Sequence, residues 1–401
     1  MKSLIASSLV LLALAGWTPS HAKTSGPAQV GVAFDRQGER GSWAEGLADP
    51  STGRAVTPDD PARVASVSKL VVAIGVLKLV EQGKLELDRD VSSYLGWYLR
   101  NPRFPTQPIT LRQLLSHTSS IRDGDDAYVI PLGERIQDGL IETQVWDLEH
   151  GPAEHYFAYS NFNFPVIGSV VERVTGERFD LWMRREVLEP MKIDACFNWP
   201  TCTERAISRA VVLTQGGEPV RDDLHGKRPE CPVFVDKGPC DLARWKLGDN
   251  GALFSPQGGL RISVRGLERV GRMLLNGGAV DGVRILSPDS VETMLAPAWQ
   301  LNGRNGSQDG ESEGVCSYGL ATRQLATGLG CADDPEGQGR AWVGHAGDAY
   351  GLRSGIWIDR KRGVGIAYFV TGLPDELPNG KSSFSAEEEA AFRRSGALFK
   401  R

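Results

Sequence analysis

Arg63-Val64-Ala65-Ser66-Val67-Ser68-Lys69, running into Leu70-Val71-Val72-Ala73-Ile74-Gly75-Val76-Leu77-Lys78-Leu79-Val80, is the stretch on which this chain turns. From Leu70 to Val80 the residues are apolar on almost every side of a helix, which marks a buried helix rather than a surface one. Gly83 supplies the stop. Ser66 and Lys69 stand at its mouth, three residues apart, so their side chains share one face a turn apart. Serine is a weak nucleophile until a neighbouring base takes its proton. A lysine is such a base only when burial or nearby positive charge lowers its pKa, and the apolar run supplies burial. The plain alternative makes Ser66 a helix N-cap and the lysine an accident of spacing. Against it, a buried ammonium without a partner is costly. The same spacing recurs at Ser20-His21-Ala22-Lys23, so the pattern alone carries little.

Around that stretch lies a chain of 401 residues, 41% hydrophobic and 24% charged, with a net charge of −5. These are the proportions of a globular protein, long enough for two domains. No basic run points to nucleic acid. Lys2, the apolar Leu4 to Ala15 and the small-residue site Ser20-His21-Ala22 read as a secretory signal peptide, residues 1–22. No later segment is apolar enough to span a bilayer, so no stable membrane span is expected after its removal. The expectation is an exported protein, periplasmic or secreted. In an oxidising compartment the six cysteines can pair in 15 ways, and the simplest joins near neighbours: Cys196 with Cys202, Cys231 with Cys240, Cys316 with Cys331. There is no C-x-x-C pair and no H-E-x-x-H, so neither a metal site nor a cofactor is expected.

Ala28 to Phe34 and Gly41 to Ala48 read as a β-hairpin about Asp35-Arg36-Gln37-Gly38. Ile109 to Leu115, Phe164 to Val174, Phe179 to Val187, Val264 to Asn276 and Pro288 to Leu295 read as helices. Residues 198–250 look like an irregular insertion, and 302–339 is a Gly-rich stretch of weak pattern. Ala341 to Gly344, Gly351 to Ile358 and Val364 to Thr371 are strand-like. Ser385-Ala386-Glu387-Glu388 is a capping-box signal for a last helix, Glu389 to Phe399.

Two further motifs carry chemistry. In Tyr159-Ser160-Asn161 a phenol can relay a proton. Its neighbouring amide can bond a substrate carbonyl or hold Lys69. Read plainly, it is a turn before the helix at Phe164. In His345-Ala346-Gly347, placed at a strand end, the glycine lets a substrate lie against the strand edge. The following amide, that of Asp348, can donate to an oxyanion. The histidine can bind a carboxylate or bond Tyr159. Read plainly, it is a turn histidine.

The order S-x-x-K, Y-x-N, H-x-G resembles that of the penicillin-recognising serine hydrolases, most like the branch of class C β-lactamases, D-alanyl-D-alanine carboxypeptidases and esterases. Gly83-Lys84-Leu85-Glu86-Leu87-Asp88, Ile109-Thr110-Leu111-Arg112-Gln113-Leu114-Leu115-Ser116-His117-Thr118-Ser119, Val174-Thr175-Gly176 and Gly258-Gly259-Leu260 extend the likeness over most of 60–190 and 255–371. The resemblance implies an α+β, β-lactamase/transpeptidase-like fold: an antiparallel sheet flanked by terminal helices, from residues 23–69 and 331–401, and a mainly helical domain, 70–330, carrying the 198–250 insertion. It implies Ser66 as acylated nucleophile and Lys69 and Tyr159 as sharers of the proton work, unranked as base. It implies the amides of Ser66 and Asp348 as oxyanion hole, and Asn161, His345, Gly347 and Arg353 as substrate contacts. His117, in a well-matched segment, reads as structural.

Two departures bear on the substrate. Class C β-lactamases carry K-T-G where this chain has His345-Ala346-Gly347, and Asp348 sets a carboxylate beside the site that repels a substrate carboxylate unless Arg353 offsets it. The expectation is an exported serine hydrolase that cleaves an ester or amide in a small-molecule or peptide acyl substrate. A β-lactamase or D-alanyl-D-alanine carboxypeptidase proper, and a non-catalytic cell-wall peptide or penicillin sensor, are the rivals. No G-x-S-x-G elbow is present, which argues against an α/β-hydrolase. Nothing in the sequence sets the oligomeric state.

Overall fold

A computed structural model of the chain describes residues 25–141, 143–220, 225–374 and 376–400; the expected signal segment lies outside the described residues. The two chain ends meet in one antiparallel sheet. Gln29–Asp35 and Glu39–Glu45 form the expected hairpin, and Gln29–Asp35 pairs in turn with Val364–Val370, placing Val32 opposite Ala367. Val364–Val370 pairs with Leu352–Asp359, which pairs with Trp342–Ala349. Arg323–Leu325, Ser317–Tyr318 and Trp299–Gln300 complete an eight-stranded sheet.

Alternation along these strands explains why both faces are covered. Val32, Phe34, Ile356, Ile358, Ala367 and Phe369 pack into one core with the helix Val264–Leu275. Ala33, Trp357, Ile366 and Tyr368 face the other way, onto Phe392 of the last helix, Ala386–Gly396. Gly271 marks the closest crossing: a Cβ there would lie 2.3 Å from Phe34. The capping box is formed, with Glu388 N–H on the Ser385 hydroxyl and Ser385 N–H on the Glu388 carboxylate.

The helix that follows Ser66 spans Val67–Glu81 and is buried on nearly every side. It sits against the strands Trp342–Ala349 and Leu352–Asp359, with Pro288–Leu295 also in contact. Asn163–Thr175 and Leu111–Leu115, the latter started by a Thr110–Gln113 capping box, lie on its far side in the same core. All three expected disulfides are formed. No helix among the described residues is long and apolar enough to cross a membrane.

The structure departs from the sequence expectations in three places. The sheet takes in strands from Trp299 onward, upstream of residue 331, and Val264–Leu275 packs on it, so the division at 330/331 falls inside the sheet layer. The added strands are two or three residues long, too short to show a period. The strand expected to end at Gly344 runs to Ala349, so His345-Ala346-Gly347 lies within a strand, not at its end. Its pairing toward Arg323–Leu325 nevertheless stops at Gly344, which leaves His345 to Ala349 with a paired edge on the Leu352–Asp359 side only. The last helix begins three residues earlier than expected, at Ala386.

Candidate active site

Ser66 enters the site through a pinned turn. Ala62–Arg63 pairs with Leu260–Ile262, and Val64 N–H bonds Leu260 O at 2.9 Å. Ala65 then takes a left-handed backbone, φ +47°, which an alanine adopts only where its surroundings enforce it. Those surroundings are in place: the Ser68 hydroxyl donates to Ala65 O at 2.6 Å, and the Ser354 hydroxyl donates to Val64 O at 2.9 Å. The turn leaves Ser66 half-buried and already helical, φ −64° and ψ −11°, at the head of its helix. Its side chain caps nothing. The N-cap reading is therefore set aside: the hydroxyl is turned to Lys69 instead.

Lys69 is fully buried, and its Nζ donates to three oxygens: Ser66 Oγ at 2.9 Å, Asn161 Oδ1 at 2.7 Å and Gln257 O at 2.8 Å. Burial pushes its pKa down to about 8, against the opposing charges of Glu311 and Asp123. Tyr159 shares the cavity wall with Ser66 and lies with its ring 5.0 Å from Lys69 Nζ. Burial, then Tyr318 and Glu311, hold its phenol well above the usual range.

Of the two roles open to Asn161, holding Lys69 is the one its contacts fill. Both amide protons are taken as well, by Asp123 Oδ2 at 2.9 Å and Glu311 Oε1 at 3.1 Å. His345 is similarly engaged. Its Nδ1 lies 2.5 Å from Ala346 O, so Nδ1 carries the proton, and Nε2 accepts from the Tyr318 hydroxyl at 2.6 Å. Burial, aided by Lys69, pushes its pKa down to about 3. It does not bond Tyr159; Tyr318 stands in that place. A Cβ on Gly347 would lie 2.4 Å from Val64 O and 3.2 Å from Ser66 N. This glycine thus admits the turn before the nucleophile.

A cavity of about 230 Å³ opens on Ser66 and Tyr159 and is lined further by Glu311, Tyr318, His345, Gly347, Asp348 and Arg353. Arg353 is paired with Asp348, and its Nε is 3.9 Å from Glu388. Although Glu311 is exposed to this cavity, the surrounding walls push its carboxyl above the usual range, with Lys69 opposing. On the far side of Gln257 a second cavity, of about 340 Å³, is bounded by Tyr128, Val129, Phe234 and Tyr350. Phe234 belongs to the insertion and sits inside the Cys231–Cys240 loop. Asp123, Glu311, Tyr318 and the carbonyl of Gln257 escaped the sequence reading, because Glu311 and Tyr318 fall in the patternless Gly-rich stretch and Asp123 in a polar turn.

The sequence profile described as Beta-lactamase matches residues 25–387. The chain belongs to the beta-lactamase family. That is a family of serine hydrolases, and the fold agrees with it throughout. Among relatives of this beta-lactamase-family chain, Penicillin-binding protein 4 of Amycolatopsis lactamdurans is 28% identical over 259 residues, 64% of this chain and 62% of that protein. The chain thus spans less than two thirds of that relative. A class C β-lactamase from Rhodobacter sphaeroides superposes with a TM-score of 0.65 at 17% identity, covering 93% of this chain and 94% of that one. D-amino acid amidase from Ochrobactrum anthropi SV3, in complex with D-phenylalanine, gives 0.64 at 18% identity and 94% of each chain. At these identities the two structures support the fold alone.

Proposed function

We propose that this chain is an exported acyl hydrolase that opens small esters or amides through an acyl-enzyme on Ser66, with Lys69 as general base. The observation that carries the reading is the 2.9 Å contact between Lys69 Nζ and Ser66 Oγ inside a buried pocket. With a pKa near 8, about a tenth of Lys69 is neutral at pH 7. A neutral amine there takes the Ser66 proton as Oγ attacks the substrate carbonyl. Tyr159, whose phenol stays protonated, suits the opposite task. It gives its proton to the leaving group as the carbonyl–heteroatom bond breaks, and recovers one from the Lys69 ammonium. Water then repeats the sequence on the acyl-serine, releasing the acid and restoring Ser66. The amides of Ser66 and Asp348 are the oxyanion donors in this scheme. Ser66 N–H lies at the positive end of a 15-residue helix, which favours negative charge. The three disulfides agree with export.

Charge narrows the substrate. Glu311, Glu313, Asp348 and Glu388 line the cavity beside Ser66. Of its two arginines, Arg353 is held by Asp348, and Arg323 donates to Gly314 O and Ser383 Oγ while stacking on Phe384. A carboxylate on the leaving group meets like charge there, so the preferred leaving group is neutral or cationic. The second cavity, walled by Arg63 and Asp126 as well as by Tyr128, Phe234 and Tyr350, is the proposed seat of an acyl group with an aromatic part. Intact-mass spectrometry with penicillin and, separately, with an activated aryl ester tests this. Turnover of the ester through a transient Ser66 adduct, with slow penicillin acylation, is the expected result. A permanent penicillin adduct would favour a peptidase or sensor, rapid penicillin turnover a β-lactamase, and no adduct from any acyl donor would overturn the assignment.

A further inference from the structure

One residue of the well-matched 109–119 segment grips the loop that carries Tyr159 and Asn161. His117 takes a left-handed backbone, φ +55°, and is fully buried. In that conformation its carbonyl and its ring both face the loop. The carbonyl accepts Ala158 N–H at 3.0 Å. The ring Nδ1 accepts Ser160 N–H at 3.1 Å and lies 3.2 Å from Asn163 Nδ2. The Asn163 amide is oriented by the Ser119 hydroxyl, which donates to its Oδ1 at 2.6 Å, so Nδ2 is the atom turned to His117. The ring itself stacks on Tyr159, with centroids 4.1 Å apart and planes 23° from parallel.

These contacts fix the proton. Nδ1 receives two N–H groups and so is bare; the proton of the neutral ring sits on Nε2. Nε2 is buried among Phe157, Phe164 and Tyr318 and has no hydrogen-bond partner. Leaving a buried N–H unpaired carries a desolvation penalty that the fold does not incur without a return elsewhere. A histidine that served packing alone gains nothing from that arrangement, since the other tautomer or a phenylalanine fills the same space. The tautomer is the one the catalytic loop requires. Burial, and after it Lys69, disfavours a charged ring there.

We propose that His117 is a positioning residue for the acyl-transfer reaction, holding the Ser160–Asn161 backbone, and with it Tyr159, to the Ser66–Lys69 pair through its Nδ1 acceptor. The inference rests on the acyl-serine reading above. Two variants separate the roles of the ring. His117→Asn keeps an acceptor near Nδ1 and tolerates a left-handed backbone, whereas His117→Phe keeps the stack and bulk but has no acceptor. Single-turnover acylation by an activated aryl ester is expected to slow by roughly 10- to 100-fold in His117→Phe, with little change in ester binding, and to stay within about fivefold in His117→Asn. Wild-type rates in folded His117→Phe, or equal losses in both variants, would overturn the proposal. Nitrogen-15 NMR of the wild-type ring provides a test that needs no variant to fold. It should find His117 neutral and protonated at Nε2 alone at neutral pH, and a proton on Nδ1 would overturn the proposal as well. Absence of any wild-type adduct on Ser66 would instead remove the acyl-serine reading itself.

Discussion

Glu311 Oε1 accepts a 3.1 Å hydrogen bond from Asn161 Nδ2, on the amide whose oxygen holds Lys69. The carboxylate thereby stabilises the Lys69 ammonium at one remove and opposes the burial that makes Lys69 a base. Replacing Glu311 by Gln keeps an oxygen for Asn161 and removes the charge. The Lys69 pKa then falls, because an opposite charge that favoured the ammonium is gone. The acylating form carries neutral Lys69, so the rising limb of kcat/KM against pH is expected to move to lower pH in Glu311→Gln. A pH profile with a neutral aryl ester measures this, and an alkaline movement would show that Lys69 does not act as the base.

Gly347 and the turn before Ser66 approach too closely for a side chain. In Gly347→Ala the new methyl would meet Val64 O at 2.4 Å and Ser354 Oγ at 2.5 Å, forcing the strand away from the nucleophile. Overpacking of this kind costs about 1–3 kcal/mol. The expected outcome is a lower thermal midpoint together with a loss of kcat of at least about tenfold, since shifts near 1 Å are expensive at a reacting centre. Calorimetry and ester kinetics on the same preparation give both numbers.

Asp348 and Arg353 neutralise one another at the cavity wall. Asp348→Asn keeps the backbone amide proposed for the oxyanion hole and leaves Arg353 facing the cavity with Glu388 as its remaining carboxylate. Acylation by a carboxylate-bearing donor such as penicillin is expected to quicken by about two- to fivefold, from an ion-pairing group worth roughly 0.5–1 kcal/mol, while a neutral ester stays within about 1.5-fold. Competing the two donors by mass spectrometry reads the ratio directly.

The cavity bounded by Tyr128, Phe234 and Tyr350 is the proposed seat of the acyl group. Phe234 is 44% exposed although large and apolar, as expected of a wall awaiting a ligand. Phe234→Ala is expected to lower kcat/KM for a phenylacetyl ester by roughly 5- to 30-fold, from about 1–2 kcal/mol of lost burial, and to leave an acetyl ester within about twofold. Equal effects on both esters would place the acyl group elsewhere.

Much of this was readable from the chain. The all-apolar run after Ser66 specified a buried helix, and burial in turn specified a lysine with a lowered pKa. The alternation of Val364 to Val370 and the Ser385–Glu388 box set the terminal sheet and helix. Three near-neighbour cysteine pairs described their own bridges. What escaped detection has a common cause. Trp299–Gln300, Ser317–Tyr318 and Arg323–Leu325 are too short to carry a period and owe their strand state to pairing with residues distant in sequence. Glu311 and Asp123 take their meaning from Asn161, which only the fold brings to them. His345, Asn161 and Gly347 were recognisable as residues of the site. The hydrogen-bond partners that turn His345 and Asn161 inward, and the turn that crowds Gly347, were not.

The most direct measurement is the acid-quenched rate of acylation by an activated aryl ester from about pH 5 to pH 10, with the adduct located by peptide mapping. A single adduct on Ser66 is expected, its rate of formation rising with a midpoint near 8, the value to which burial pushes Lys69. A rate independent of pH, a midpoint at the ordinary histidine value of about 6.5, or an adduct that persists in Ser66→Ala would contradict it.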